Sequence, residues 1–488
     1  MTPALLFSFV IGYFAILLVV AWWTSRKSDN ESFFIGNRNS NWMLVAFGMI
    51  GTSLSGVTFV SVPGNVNKDA FAYFQIVIGY VIGYVVIAYV LLPLYYKLNL
   101  TSIYNYLSTR LGIKSYKTGA SFFILSRTLG ATARLYLVVK ILQDAILSSF
   151  GIPFWATTII ILLMILLYTY EGGVKTIVWT DTLQTTCMLV GLVVCVIYIL
   201  SELNLGIGTG LQALTDQGHT KIFFTDPNGK LFFLKQILAG AFITITMTGM
   251  DQEMMQKNIS VKTLKDSQKN MLTFSAILVV VNLLFLFLGG LLYLYGSQNG
   301  ITATGDKIFP AIALNAGLMP PIISVIFIIA LISALFPSAD GAITALTSSF
   351  CIDILGLKRR DDWDEKTKKR IRQKVHLIFV FIFLLFVMVF KWANNPSMIG
   401  VILKVAAYTY GPLLGLFSFG ILTKRSVQDN IVPFICILSP VICFILDKFQ
   451  KNIFGNFEIG LELLIINGLL TFIGLMLISK KADAVTLK

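Results

Sequence analysis

GTSLSGVTFVSVPG, residues Gly51 to Gly64, lies in the middle of an apolar stretch running from Trp42 to Val66. That stretch is long and apolar enough to cross a bilayer. Yet Thr52, Ser53, Ser55, Thr58 and Ser61, with Gly51 and Gly56, set hydroxyls and bare backbone at mid-membrane depth. Non-helical backbone is tolerated there only when buried in protein or lining a wet cavity. A helix broken at its middle offers unpaired carbonyls, a half-helix dipole end and short hydroxyls, a set that suits a small cation and a polar solute. A small-residue face for helix packing is the competing reading.

The surrounding chain is a membrane chain. Of its 488 residues 56% are hydrophobic and 13% charged, and apolar runs of 18 or more recur throughout. The expected fold class is an all-α polytopic membrane protein with about 13 transmembrane helices. They fall at roughly 4–24, 41–66, 71–96, 118–148, 154–171, 179–201, 232–254, 271–295, 319–350, 375–392, 398–422, 431–447 and 459–479. The stretch Ala4 to Thr24 is too long for a signal-peptide core and lacks a small-residue cleavage site, so it is expected to remain as a helix. With the N-terminus outside, 26 of the 38 lysines and arginines fall in inside loops, Arg26, Lys27, Arg38, Lys257, Lys481 and Lys488 among them, against 8 outside. The positive-inside rule thus places the N-terminus outside and the C-terminus in the cytoplasm of a cell (inner) membrane. It also accounts for the net charge of +14 with no nucleic-acid partner. The five cysteines lack ligand spacing and read as packing residues. His219 and His376 have no catalytic or metal companion in the sequence.

Segment 232–254 repeats the interruption. Thr244, Thr246, Thr248 and Gly249 break an apolar helix, and Asp251, Gln252 and Glu253 close it. The two interrupted helices start five spans apart, and an odd offset inverts orientation, as two five-helix repeats of opposite topology require. The expected division is 1–39 for an extra helix and first loop, 40–205 for the first repeat, 206–230 for an extracellular loop, 231–424 for the second repeat and 425–488 for two further helices.

Charged groups inside the spans mark candidate chemistry, because intramembrane ionisable residues are costly. Asp181 opens the sixth span as either a helix cap or an ion ligand. Asp340 lies deeper, with Ser338, Thr344 and Thr347 at helical spacing, hard oxygens that suit a small hard cation. Pro337 lacks an N–H and frees the Ser333 carbonyl. Arg127 and Arg134 are seven residues apart with Gly130 between them on one face. They form either structural pairs or the wall of a pocket for an anionic solute, and few acids in their own and neighbouring spans are placed to meet them.

These residues resemble the sodium:solute symporter family, which includes sodium/glucose, proline and sialic acid transporters of LeuT-type inverted-repeat fold. The likeness covers essentially the whole chain. It rests on TSLSGVTFVSVPG, on YEGGVKTIVWTD before and into the sixth span, and on GMDQEMMQK after the second interruption. SADGAITALTSSFCIDI and YTYGPLLGLFSFGIL complete the set. The resemblance implies one or two sodium ions (Na+) as coupling ions. The main site would use Gly51, Leu54 and Ala334 carbonyls with the Ser338 hydroxyl, although Pro337 stands where the family often has a serine. A second would use Asp181 with the region of Asp340. Solute positions match Ser53, Ser55, Thr58 and Tyr73. The sialic acid branch's arginine falls on Gly130 and its glutamine on Val77, so Arg127 or Arg134, and Gln75, are expected to stand in. The reading is therefore a non-enzymatic, sodium-coupled symporter in the lipid bilayer, functional as a monomer, importing a small polar solute by alternating access. That solute is a sugar acid or carboxylate, or alternatively a neutral sugar. A channel would want rings of charge around a pore, and a transporter-like sensor or membrane enzyme a further domain or a nucleophile–base pair.

Overall fold

In hydrocarbon each backbone polar group must be satisfied within its own segment, which makes apolar runs of this length helical. The computed structural model describes residues 3–25, 40–170, 173–360, 362–393 and 398–480. The loop with Arg26, Lys27 and Arg38, together with Glu171, Lys481 and Lys488, lies outside the described residues. Among the described residues eight helices are long and apolar enough to cross a bilayer, and three more spans are bent pairs. In chain order these are α1 (Pro3–Ser25) and the bent pair α2 (Trp42–Ser53) with α3 (Gly56–Asp69), then α4 (Tyr73–Lys97), α5 (Ile113–Ala145), α6 (Phe154–Thr169) and α7 (Gly173–Glu202). The bent pair α8 (Phe233–Gly249) with α9 (Gln252–Ile259) follows, then α10 (Leu264–Gln298), α11 (Pro321–Ser349) and α12 (Glu365–Ala393). The pair α13 (Met398–Thr409) with α14 (Gly411–Leu422) precedes α15 (Val432–Phe454) and α16 (Leu463–Leu477). The expected thirteen include α6 and α16, which at 16 and 15 residues are shorter than the other spans.

Both anticipated breaks are present, bent by 56° between α2 and α3 and by 64° between α8 and α9. A third bend, of 46° at Tyr410–Gly411, was not read from the sequence. Pro412 just after it has no N–H to donate and so allows the bend. The second break also ends differently from the reading above. The segment resumes as α9 and runs on to Ile259, which carries Lys257 into the interior with 3% exposure instead of into an inside loop.

α11 is the central post. Every residue from Leu331 to Ser349 on it is buried, and it packs against α7, α5, α2 and α3. The outermost helices instead leave apolar side chains exposed, as Phe434, Leu438, Val441 and Ile445 do on α15, the pattern of a lipid-facing surface. The long loop after α7 reaches back to the start of α4, where the Phe71 amide donates to the Lys221 carbonyl.

Candidate sodium and solute site

The two breaks differ in one respect that decides their chemistry. At the second, the Gly249 carbonyl accepts from the Tyr95 hydroxyl (2.8 Å) and the Met250 carbonyl from the Tyr104 hydroxyl (2.9 Å). Asp251 then caps α9, accepting from the Glu253 and Met254 amides. At the first, the Leu54 amide still reaches the Ile50 carbonyl, but the Gly51 and Leu54 carbonyls accept no hydrogen bond among the described residues. Buried carbonyls are rarely left so. The first break therefore keeps free oxygens while the second has spent its own.

α7, α5 and α11 close on this break. A side chain at Gly51 would meet Pro337 Cγ at 3.4 Å and Thr185 Oγ1 at 2.3 Å, and one at Gly56 would meet the Leu331 carbonyl at 3.7 Å. The tight approaches are to Thr185 on α7 at Gly51 and to Val138 Cγ2 (2.6 Å) on α5 at Gly56, whereas the distances to α11 are ordinary packing contacts. Ala334 and Ser338 lie in this stretch of α11 with 0% and 1% exposure. The Ser338 hydroxyl donates to the Leu335 carbonyl (2.8 Å), which leaves its lone pairs free to bind a cation. Pro337 does not bend α11 enough to end it, and its ring sits against Gly51.

Beside the break is a cavity of about 90 Å³. Ser53, Ser55, Thr58 and Tyr73 line it as the resemblance implied, together with Arg127 and Arg134. Gln75 is not among its walls. Its amide donates to the Ala72 and Leu231 carbonyls and accepts from the Phe224 amide, so it ties α4 to the long loop after α7. Tyr80, Tyr84 and Asn282 line the cavity without having been singled out. The i, i+4 and i, i+7 spacing of Tyr73, Tyr80 and Tyr84 on α4 was the available signal. Asn282 keeps its side-chain oxygen unpartnered among the described residues.

The two arginines part company here. Arg127 forms a buried ion pair with Glu253 and lies 4.0 Å from Asp251. Those acids are in sequence far from Arg127, and the break between α8 and α9 is what brings them to α5. The expectation of few acids near Arg127 is thus corrected. Arg134 has no hydrogen-bond or ion-pair partner among the described residues, and it faces the cavity. Behind the break, Asp181 Oδ2 accepts from Lys257 Nζ (2.6 Å), and Asp340 Oδ2 accepts from the Tyr168 hydroxyl (2.7 Å). Gly341 is required where it stands, since a Cβ would come within 2.3 Å of Glu253 Oε1.

The sodium:solute symporter family model matches residues 33–429. The chain belongs to that family. It is therefore a sodium-coupled solute transporter in a membrane and not an enzyme. It is 22% identical over 476 residues to the sodium/sialic acid symporter SiaT of Proteus mirabilis, covering 93% of this chain and 92% of that one. It is 25% identical over 419 residues to sodium-coupled monocarboxylate transporter 1 of Mus musculus, covering 84% and 67%. The fold is similar to that of a Na+-coupled sialic acid symporter solved in a substrate-bound outward-open state, with TM-score 0.83 and 20% identity over 98% of this chain and 99% of that one. A nucleobase-cation-symport-1 family transporter in a closed conformation is a more distant likeness, with TM-score 0.52 and 11% identity over 91% of this chain and 92% of that one.

Proposed function

We propose that this symporter imports a small organic anion whose carboxylate docks on Arg134. The single observation that carries this is the Arg134 guanidinium, which faces the cavity beside the first break with no acidic partner among the described residues. Guanidinium is costly to bury alone, and its planar fork matches a carboxylate in bidentate geometry. Relatives named for sialic acid and for monocarboxylates both carry a carboxylate solute, which supports the same class. The hydroxyls of Ser53, Ser55, Thr58, Tyr73 and Tyr80 surround that seat and suit the hydroxyl or carbonyl groups of a sugar acid or hydroxy acid.

Sodium would sit at the Gly51 and Leu54 carbonyls, facing the Ala334 carbonyl and the Ser338 hydroxyl. This seat joins α2–α3 to α11, so sodium binding favours the arrangement in which the break and the post are in contact. Each sodium driven inward by a membrane potential adds about 2.3 kcal/mol per 100 mV to its concentration gradient. The repeats run from 40 to 205 and from 231 to 424, in a cell (inner) membrane with the N-terminus outside, and one chain is the working unit. The test is uptake into proteoliposomes under an inward sodium gradient, with N-acetylneuraminate, lactate, proline and glucose as separate probes. Uptake of a carboxylate that requires sodium and is lost in Arg134→Ala is the expected result. Uptake of glucose or proline alone, unaffected by Arg134→Ala, would refute the reading.

A further inference from the structure

Lys257 belongs to none of the sites above. It lies one turn after Glu253 on α9, 3% exposed. Its ammonium is 2.6 Å from Asp181 Oδ2, 2.6 Å from Thr52 Oγ1 and 3.7 Å from Glu253 Oε1. The three oxygens come from α7, α2 and α9, and Asp181, Thr52 and Glu253 are 0%, 4% and 2% exposed. Two carboxylates and a hydroxyl converging on one point form the hard-oxygen set that a small hard cation takes. Here the cation at that point is a side chain of the protein. Asp340, the other acid that resemblance assigns to a second sodium, is not in this set. Its oxygens accept from the Tyr168 hydroxyl and the Gly341 amide.

We propose that Lys257 is the resident cation of the Asp181 seat, and that this protein therefore binds one sodium, at the first break, and none at Asp181. The inference rests on the sodium coupling set out above and fixes its stoichiometry. The ammonium already occupies Asp181 Oδ2 and the Thr52 hydroxyl. A sodium taking those two oxygens would have to displace it toward Glu253, whose other oxygen is held by Arg127. Like charges crowded in a water-poor cluster repel far more than they do in water. Lys257 is in this sense the residue that determines the number of ions. Without it, the Asp181 and Glu253 carboxylates and the Thr52 hydroxyl would be left with space and negative charge, and a sodium ion would enter.

Radioactive sodium bound per chain at saturation tests this, with the purified full-length protein in detergent and sodium as the sole ligand. The expected counts are one for the wild type, two for Lys257→Ala and one for the double variant Lys257→Ala, Asp181→Asn. A count of two in the wild type overturns the proposal and needs no variant to fold. A count of one in Lys257→Ala with wild-type melting overturns it as well, as does a count of two in the double variant. A count of zero in the wild type removes the sodium seat at the first break and the inference with it, a failure distinguishable from a count of two.

Discussion

Arg127 and Arg134 lie two turns apart on one helix and meet different surroundings: the first is locked to Glu253, and the second opens on the cavity with no ion-pair partner among the described residues. The pair thus divides one charged face into a structural half and a binding half.

Arg134→Ala should weaken carboxylate binding by about ten- to a hundredfold at fixed saturating sodium, the range of a lost charged hydrogen bond of about 1.5–3 kcal/mol. Concentration dependence of uptake measures this. Arg134→Lys should restore only part of the affinity, because an ammonium cannot form the bidentate pair. A change of less than about twofold in Arg134→Ala would exclude a solute contact.

Arg127→Ala should act on stability instead. Breaking a buried pair strands a carboxylate at a cost of about 3–5 kcal/mol. Thermal unfolding should therefore show a much larger loss for Arg127→Ala than for Arg134→Ala. Equal losses would contradict the division.

Ser338→Ala should raise the sodium concentration for half-maximal uptake severalfold, with little change in solute affinity once sodium saturates. Among the described residues its hydroxyl otherwise bonds only the Leu335 carbonyl, so the fold should survive its removal. Unaltered sodium dependence would take Ser338 out of the seat.

Gly341→Ala should destabilise the protein, since the new methyl would collide with the Glu253 carboxylate that Arg127 holds in place. Purified yield and melting temperature are the readouts. A variant that purifies and melts as the wild type does would show that α9 can give way.

Cysteine introduced at Gln217 should react with an impermeant reagent from outside in intact cells, and cysteine at Asp362 only after lysis. Reaction of both from the same side would reverse the proposed orientation.

The architecture was largely legible because membrane solvent imposes a simple rule: long apolar runs must be helices, and hydroxyl-rich gaps within them must be inside. GTSLSGVTFVSVPG therefore located the first break directly. What the sequence hid was partnership. Nothing local to Arg127 points to Glu253, 126 positions away, because the contact depends on how α9 folds back after the second break. Lys257 read as one more loop cation for the same reason: hydropathy falls at Asp251, but the chain stays buried to Ile259. Gln75 sits two residues from the cavity-lining Tyr73 on α4, and a polar residue near a pocket does not by itself say which way its amide points. The third bend carries Gly411 and Pro412, a signal present in the sequence but lost within an otherwise continuous apolar run.

The crossing of α4 and α8 has a mechanical consequence. A methyl group at Gly79 would lie 2.1 Å from the Ile237 carbonyl, and one at Gly240 would lie 2.3 Å from the Ile76 carbonyl, so backbone rests on backbone with no side chain between. Side chains act as cushions that let helices slide and tilt past one another, and here that compliance is missing. The two helices are thereby coupled into a single stiff beam. The tyrosines of α4 and the threonines of α8 on the cavity wall are therefore held at a spacing set by backbone contact.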